Sequence, residues 1–190
     1  MKLSGSYQIN LSKEKVWEAL NNPEILKKAI PGCEEFTKNS DTEFTAKATN
    51  KIGPFNASFT GDVELKDLNP PNSYKITGSG NSPVGFASGE AFVKLEDNDQ
   101  GTKLIYEVEA NVGGKIAQVG SRLIDMTAKK MADIFFGKFS ELISISDDAN
   151  KDSSSQQFDN SINKQSNTKN KIWMYSAIVA GALILAYLIF

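Results

Sequence analysis

The sequence predicts an α+β chain: a curved antiparallel sheet wrapped around one long C-terminal helix, with one transmembrane helix at the extreme C-terminus. Three observations predict it. Residues Phe55 to Lys66 alternate apolar and polar without a break, as a half-buried antiparallel strand does. After Gly113-Gly114 the apolar period changes from two to three and four, and stays so to about Ser144. From Ile172 to Phe190 the chain reads IWMYSAIVAGALILAYLIF, with no charged residue.

The elements follow in order. Lys2 to Asn10 alternates, with Leu3, Gly5, Tyr7 and Ile9 on one face, and reads as a strand. Ser12 reads as an N-cap, and Val16, Trp17 and Leu20 form the stripe of a short helix. Pro23-Glu24 opens a second short helix, which Ile30-Pro31-Gly32 ends. Cys33 stands at the entry of a strand. Thr42 to Ile52 places Phe44, Ala46 and Ala48 on one side, and Gly53-Pro54 turns the chain. Phe55, Ala57, Phe59, Gly61, Val63 and Leu65 share a face. Asn69 to Asn72 is a turn, and Tyr74, Ile76, Gly78 and Gly80 follow it. Two more strands, Phe86 to Glu96 and Leu104 to Val112, flank the polar turn Asp97 to Gly101.

The last element reads as one helix from Lys115. Its stripe is Ile116, Val119, Gly120, Leu123, Met126, Thr127, Met131, Ile134, Phe135 and Leu142. Its other face is too polar for a membrane. A stripe that long needs a large concave surface, and an antiparallel sheet of about seven strands has to curl to supply one.

The domain organisation expected of the 190 residues is a folded domain over 1–146, a disordered linker over 147–171 and an anchor over 172–190. The linker is rich in Ser, Asn, Gln, Asp and Lys and has too little apolar surface to fold alone. As a flexible coil it spans roughly 25–30 Å. As a helix, Ile172 to Phe190 would be roughly 28 Å long, the thickness of a bilayer core. Trp173, Tyr175 and Tyr187 suit the two interfaces, and Lys169 with Lys171 places the domain on the cytoplasmic side of a cell membrane. The alternative is an apolar helix docked into the protein core. The N-terminus has no apolar run and is not read as a signal peptide.

Several function classes are disfavoured. The formal charge is −2 with no basic run, so a nucleic-acid partner is not expected. There is no histidine, which removes Ser-His-Asp and Cys-His systems and every His-based metal site. Cys33 is the single cysteine; no intramolecular disulfide can form, and it reads as a small buried hydrophobe. Glu34 and Glu35 are adjacent in a strand and point to opposite faces, a poor acid–base pair. Gly78, Gly80, Gly85 and Gly89 have the wrong spacing for a phosphate loop. No catalytic residue, metal or intrinsic cofactor is expected.

Five stretches carry a family resemblance: Ile30-Pro31-Gly32-Cys33-Glu34, Lys51-Ile52-Gly53-Pro54-Phe55, Gly61 with Val63, Gly85-Phe86-Ala87-Ser88-Gly89, and above all Gly113 to Phe139, GGKIAQVGSRLIDMTAKKMADIFFGKF. Over about residues 1–146 the chain resembles the CoxG family, named for the CoxG subunit of carbon monoxide dehydrogenase, within the START-like (SRPBCC) superfamily. The resemblance implies a helix-grip fold whose cavity, between sheet and helix, takes apolar molecules. It also implies association with a molybdenum hydroxylase of the carbon monoxide dehydrogenase type, and help in bringing that enzyme to the membrane.

The candidate cavity residues are read on that basis. On the central strands they are Ala46, Ala48, Phe55, Ala57, Phe59, Gly61 and Val63, then Tyr74, Ile76 and Gly78. The later strands add Phe86, Ser88, Tyr106 and Val108. The helix adds Val119, Gly120, Leu123, Met126, Thr127 and Met131. Small residues facing a long helix can leave space; equally, Phe55, Phe59 and Met126 can fill it, since native interiors are close-packed. Tyr7, Tyr74, Tyr106, Ser88 and Thr127 are the polar groups able to orient a ligand, or are satisfied core hydroxyls. Arg122, the sole arginine, is the candidate for partner binding, with a plain surface role as the alternative.

The expected function is a membrane-anchored accessory protein that recruits a molybdenum hydroxylase and holds an apolar cargo, a quinone or another lipid. Lipid or small-molecule transfer unrelated to any oxidoreductase is the second reading. A small enzyme acting on a hydrophobic substrate is the third.

Overall fold

The computed structural model describes residues 1–154. These residues form seven strands and three helices: β1 (Lys2–Ile9), α1 (Lys13–Leu20), α2 (Pro23–Ala29), β2 (Cys33–Lys38), β3 (Glu43–Ile52), β4 (Phe55–Asn69), β5 (Ser73–Ser82), β6 (Gly85–Asn98), β7 (Gly101–Gly113), a 3-10 turn (Lys115–Val119) and α3 (Ser121–Ser154). This is the predicted order. One antiparallel sheet runs β1-β7-β6-β5-β4-β3-β2, so the first strand is sewn to the last. From β2 to β7, successive strands are joined by short turns, as antiparallel pairing allows.

The inner face follows from register. Tyr74 pairs with Val93, Ile76 with Ala91, Gly78 with Gly89 and Gly80 with Ala87. Val63 stands opposite Gly78 and Phe44 opposite Val63. These positions share one face, which is largely buried, while Glu43, Asp62, Glu64, Glu90 and Glu107 face outward.

Glycines let the sheet curl. A Cβ on Gly61 would lie 2.6 Å from the Ser79 carbonyl oxygen, and one on Gly89 would lie 2.4 Å from that of Glu109. Backbone passes that close only where no side chain intervenes.

The helices close the concave side. Asn22 caps α2, its side-chain oxygen accepting from the backbone N–H groups of Glu24 at 3.0 Å and Ile25 at 3.4 Å. Ser12 precedes α1 in extended conformation but makes no side-chain cap. α3 packs on α2 and on the β1 edge of the sheet. It buries Ile124, Ala128, Ala132, Phe135, Phe136, Phe139 and Ile143.

That stripe is rotated from the predicted one. The predicted phase runs unbroken from Ile116 through Gly120. In the structure Gly120 has φ 92°, outside the helical region, and α3 begins only after it. The turn and the helix therefore have independent phases. α3 also continues to Ser154, into the stretch expected to be linker from Asp147. The rest of that stretch and the Ile172 to Phe190 run lie outside the described residues. Among the described residues no helix is long and apolar enough to cross a membrane.

Candidate functional site

The concave face is divided by side-chain size. Toward the β3–β4 turn it is lined by Ala46, Ala48, Ala57, Gly61, Gly78, Gly80, Ala87 and Gly89, and α3 brings Ala128 and Ala132 to the interior. Toward α1 it is lined by Val63, Leu65, Tyr74, Ile76, Val93, Leu95 and Leu104, and Trp17 of α1 closes it. From α3, the Phe135, Phe136 and Phe139 rings are buried in the interior. Phe136 stacks on Tyr7 with ring centroids 4.0 Å apart and meets Phe135 edge-on at 5.0 Å.

Of the candidate strand residues, the register places Ala46, Ala48, Phe55, Ala57, Phe59, Gly61, Val63, Tyr74, Ile76, Gly78, Tyr106 and Val108 on the inner face. Phe86 and Ser88 do not line it. Phe86 pairs with Asn81 and Ser88 with Ser79, one residue out of phase with Ala87 and Gly89, so both face outward. The Phe86 ring lies on the outer face against Gly113.

On the helix, Val119, Thr127 and Met131 are half-buried. The Thr127 hydroxyl donates to the Leu123 carbonyl oxygen at 2.8 Å and so is already satisfied. Leu123 stands at the rim beside Gly53, and Gly120 has open space around it. Met126 is 61% exposed and is not a cavity wall, because it lies on the far side of the observed stripe. Arg122 is exposed and has no ion-pair partner among the described residues.

Two buried polar groups stand out in the apolar interior. The Trp17 Nε1–H and the Tyr74 hydroxyl are both enclosed and have no hydrogen-bond partner among the described residues. Trp17 is 3% exposed and Tyr74 2%. Their rings meet edge-to-face with centroids 5.3 Å apart. Burial pushes the Tyr74 phenol well above its ordinary pKa, so it stays a donor. The sequence marks Trp17 only as part of a core stripe. Nothing local distinguishes a helix tryptophan that has a partner from one that lacks it.

The other two tyrosines among the described residues are engaged elsewhere. Tyr7 donates its hydroxyl to Asp133 of α3. Burial, reinforced by that bond, raises its pKa far above the ordinary value. Burial also raises Tyr106, whose ring covers Gly5. Burial raises the Cys33 thiol, and its Sγ–H points to the Glu35 carbonyl oxygen at 3.4 Å. A thiol held protonated is a weak nucleophile. Among the described residues no cluster of three or more acidic or cysteine side chains is placed to hold a metal ion.

A curled sheet gripping one long helix, with an apolar interior, is the geometry against which known proteins are compared. The family model for the CoxG subunit of carbon monoxide dehydrogenase matches residues 5–144. The chain belongs to the CoxG family. A crystal structure of a conserved protein from Geobacillus kaustophilus is similar over 77% of this chain and 97% of that one, with 31% identity and a TM-score of 0.73. A protein from Thermus thermophilus shares the fold at 12% identity, over 77% of this chain and 99% of that one, with a TM-score of 0.60. A Nitrosomonas europaea protein does so at 16%, over 77% and 96%, with a TM-score of 0.57. These neighbours have SRPBCC-like folds, so the helix-grip expectation holds for the described residues. No curated protein matches the sequence.

Proposed function

We propose that this CoxG-family chain is an accessory protein that brings a molybdenum hydroxylase of the carbon monoxide dehydrogenase type to the cytoplasmic face of a membrane. On this reading the domain also holds an apolar cargo, a quinone or a similar lipid. Family membership supports the recruitment part. The observation that carries the cargo part is the unpartnered donor pair Trp17 Nε1–H and Tyr74 OH inside an apolar interior. Each enclosed donor without an acceptor costs about 1–3 kcal/mol. A carbonyl oxygen on an otherwise apolar ligand removes that cost, and a quinone presents such oxygens on a ring that aromatic side chains can pack against. An oxidoreductase that feeds electrons to a membrane chain needs a lipid-soluble acceptor. The uncharged Ile172 to Phe190 run would tether the domain within reach of a bilayer.

The test is purification of the tagged full chain at native expression from its own membranes. Extraction of its bound lipids, analysed by mass spectrometry, is expected to give a carbonyl-bearing isoprenoid. A molybdenum-containing enzyme is expected to co-purify. Absence of the lipid sinks the cargo part; absence of the enzyme sinks recruitment and favours lipid transfer unrelated to an oxidoreductase.

A further inference from the structure

Three segments meet at one end of the domain. They are the β3–β4 turn, the β5–β6 turn and the 3-10 turn leading into α3. The Ile116 N–H donates to the Val84 carbonyl oxygen at 2.9 Å, and Gly85 packs on Ile116. A Cβ on Gly53 would lie 3.0 Å from Leu123 Cδ2 and 3.5 Å from Val119 Cγ1. All three segments are thus in contact at this tip.

The tip brings two surface features together. It exposes large apolar side chains: Phe86 at 47%, Leu123 at 37% and Met126, one helical turn on, at 61%. Its three segments also carry cations and, up to Ile124, no acid. Residues 50–57, 80–88 and 111–124 contain Lys51, Lys115 and Arg122 and no carboxylate, in a chain whose formal charge is −2. All three cations are exposed, and none is ion-paired among the described residues. The next acid along α3, Asp125, is half-buried with Oδ1 enclosed. Several lysines elsewhere are paired, as Lys13 with Asp97 at 2.7 Å, Lys47 with Glu34 at 3.0 Å and Lys75 with Asp67 at 2.9 Å.

We infer that this tip docks on the surface of a bilayer containing anionic phospholipid, with Phe86, Leu123 and Met126 entering the headgroup region and Lys51, Lys115 and Arg122 meeting phosphates. Apolar side chains ringed by unpaired cations are the pattern of interfacial binding. A protein partner would need a matching acidic and apolar face; a bilayer supplies both at any point. The inference rests on the cargo reading only in its purpose: it would set the end of the concave face lined by Ala46, Ala48 and Ala57 against the lipid.

The test uses the full chain with Cys33→Ser and one nitroxide-labelled cysteine replacing Met126, Phe86 or, as a reference away from the tip, the exposed Thr37. The labelled protein is bound to vesicles of phosphatidylcholine alone or with phosphatidylglycerol. Collision with oxygen and with a water-soluble nickel complex then reports depth. Labels at Met126 and Phe86 are expected to lose nickel contact and gain oxygen contact on phosphatidylglycerol vesicles, with Thr37 in water throughout. The triple change K51Q/K115Q/R122Q is expected to return both labels to water, since each cation near such a surface is worth roughly a fivefold change in partition. Labels that stay in water on anionic vesicles overturn the inference. So does immersion that ignores lipid charge and the triple change, or shielding that arises only when the molybdenum enzyme is added. None of these results alters the lipid found by mass spectrometry, so the docking and cargo readings fail separately.

Discussion

Replacing Tyr74 by Phe is expected to act with opposite signs on the empty and the loaded protein. The Tyr74 hydroxyl is enclosed without an acceptor among the described residues, in an interior lined by Trp17, Val93 and Ile76. Its desolvation therefore costs about 1–3 kcal/mol that nothing returns. Phe keeps the ring, its edge-on contact with Trp17 and its volume, and removes only the oxygen. The cargo-free variant should be more stable by about 1–3 kcal/mol. For a domain of this size each kcal/mol moves Tm by about 2–4 °C, so a rise of several degrees is expected. With cargo bound, the same change deletes a hydrogen bond worth about 0.5–1.5 kcal/mol and should weaken retention about two- to tenfold. The assay is thermal unfolding of delipidated full chain in mild detergent, paired with lipid retention measured by mass spectrometry. A fall in Tm of the delipidated variant would mean the hydroxyl has a partner, and would refute the donor-pair argument.

Phe136→Ala should cost about 3–5 kcal/mol in urea unfolding, because the ring is 1% exposed and stacks on Tyr7 and Tyr106. Gly89→Ala should destabilise by about 1–3 kcal/mol, since the new Cβ meets the Glu109 carbonyl oxygen and the Ala110 backbone. Gly137→Ala, with no atom within 4 Å of its Cβ, should instead stabilise α3 by about 0.5–1 kcal/mol in the same titration. Alkaline stability should fall as pH rises past the ordinary phenol value of 10.0. Tyr74 and Tyr7 hold their protons more tightly when folded than unfolded. The stability they contribute is therefore complete below that value and is lost above it. Unfolding midpoints against pH should slope downward there, and less steeply in Tyr74→Phe.

Strand positions are legible because the side-chain period of a strand is two and one apolar face settles the phase. Every candidate from Ala46 through Gly78 lies inside on that ground. The β6 phase misleads because Phe86 is the most apolar residue at its start. Its ring is spent on covering Gly113 outside the sheet, a contact between strands that no local pattern encodes. The helix stripe fails at Gly120, where one dihedral resets the phase of everything after it. Trp17 and Tyr74 are visible as residues but not as a pair. What matters about them is the missing acceptor, and that depends on how α1 is laid against β5.

The pairing of β1 with β7 has a consequence for biosynthesis. Lys2 lies against Glu109, and the chain between is most of the domain. At ordinary translation rates the first strand waits roughly 5–20 s on the ribosome before its partner exists. Closing a loop of about 100 residues rather than a hairpin of about 10 adds on the order of 2 kcal/mol of entropy to that step. The β2-to-β6 meander can assemble while the nascent chain is still tethered, but it exposes the free edge of β6 as it does so. A holding chaperone that covers that edge should raise the yield of folded protein more than any change made inside the core.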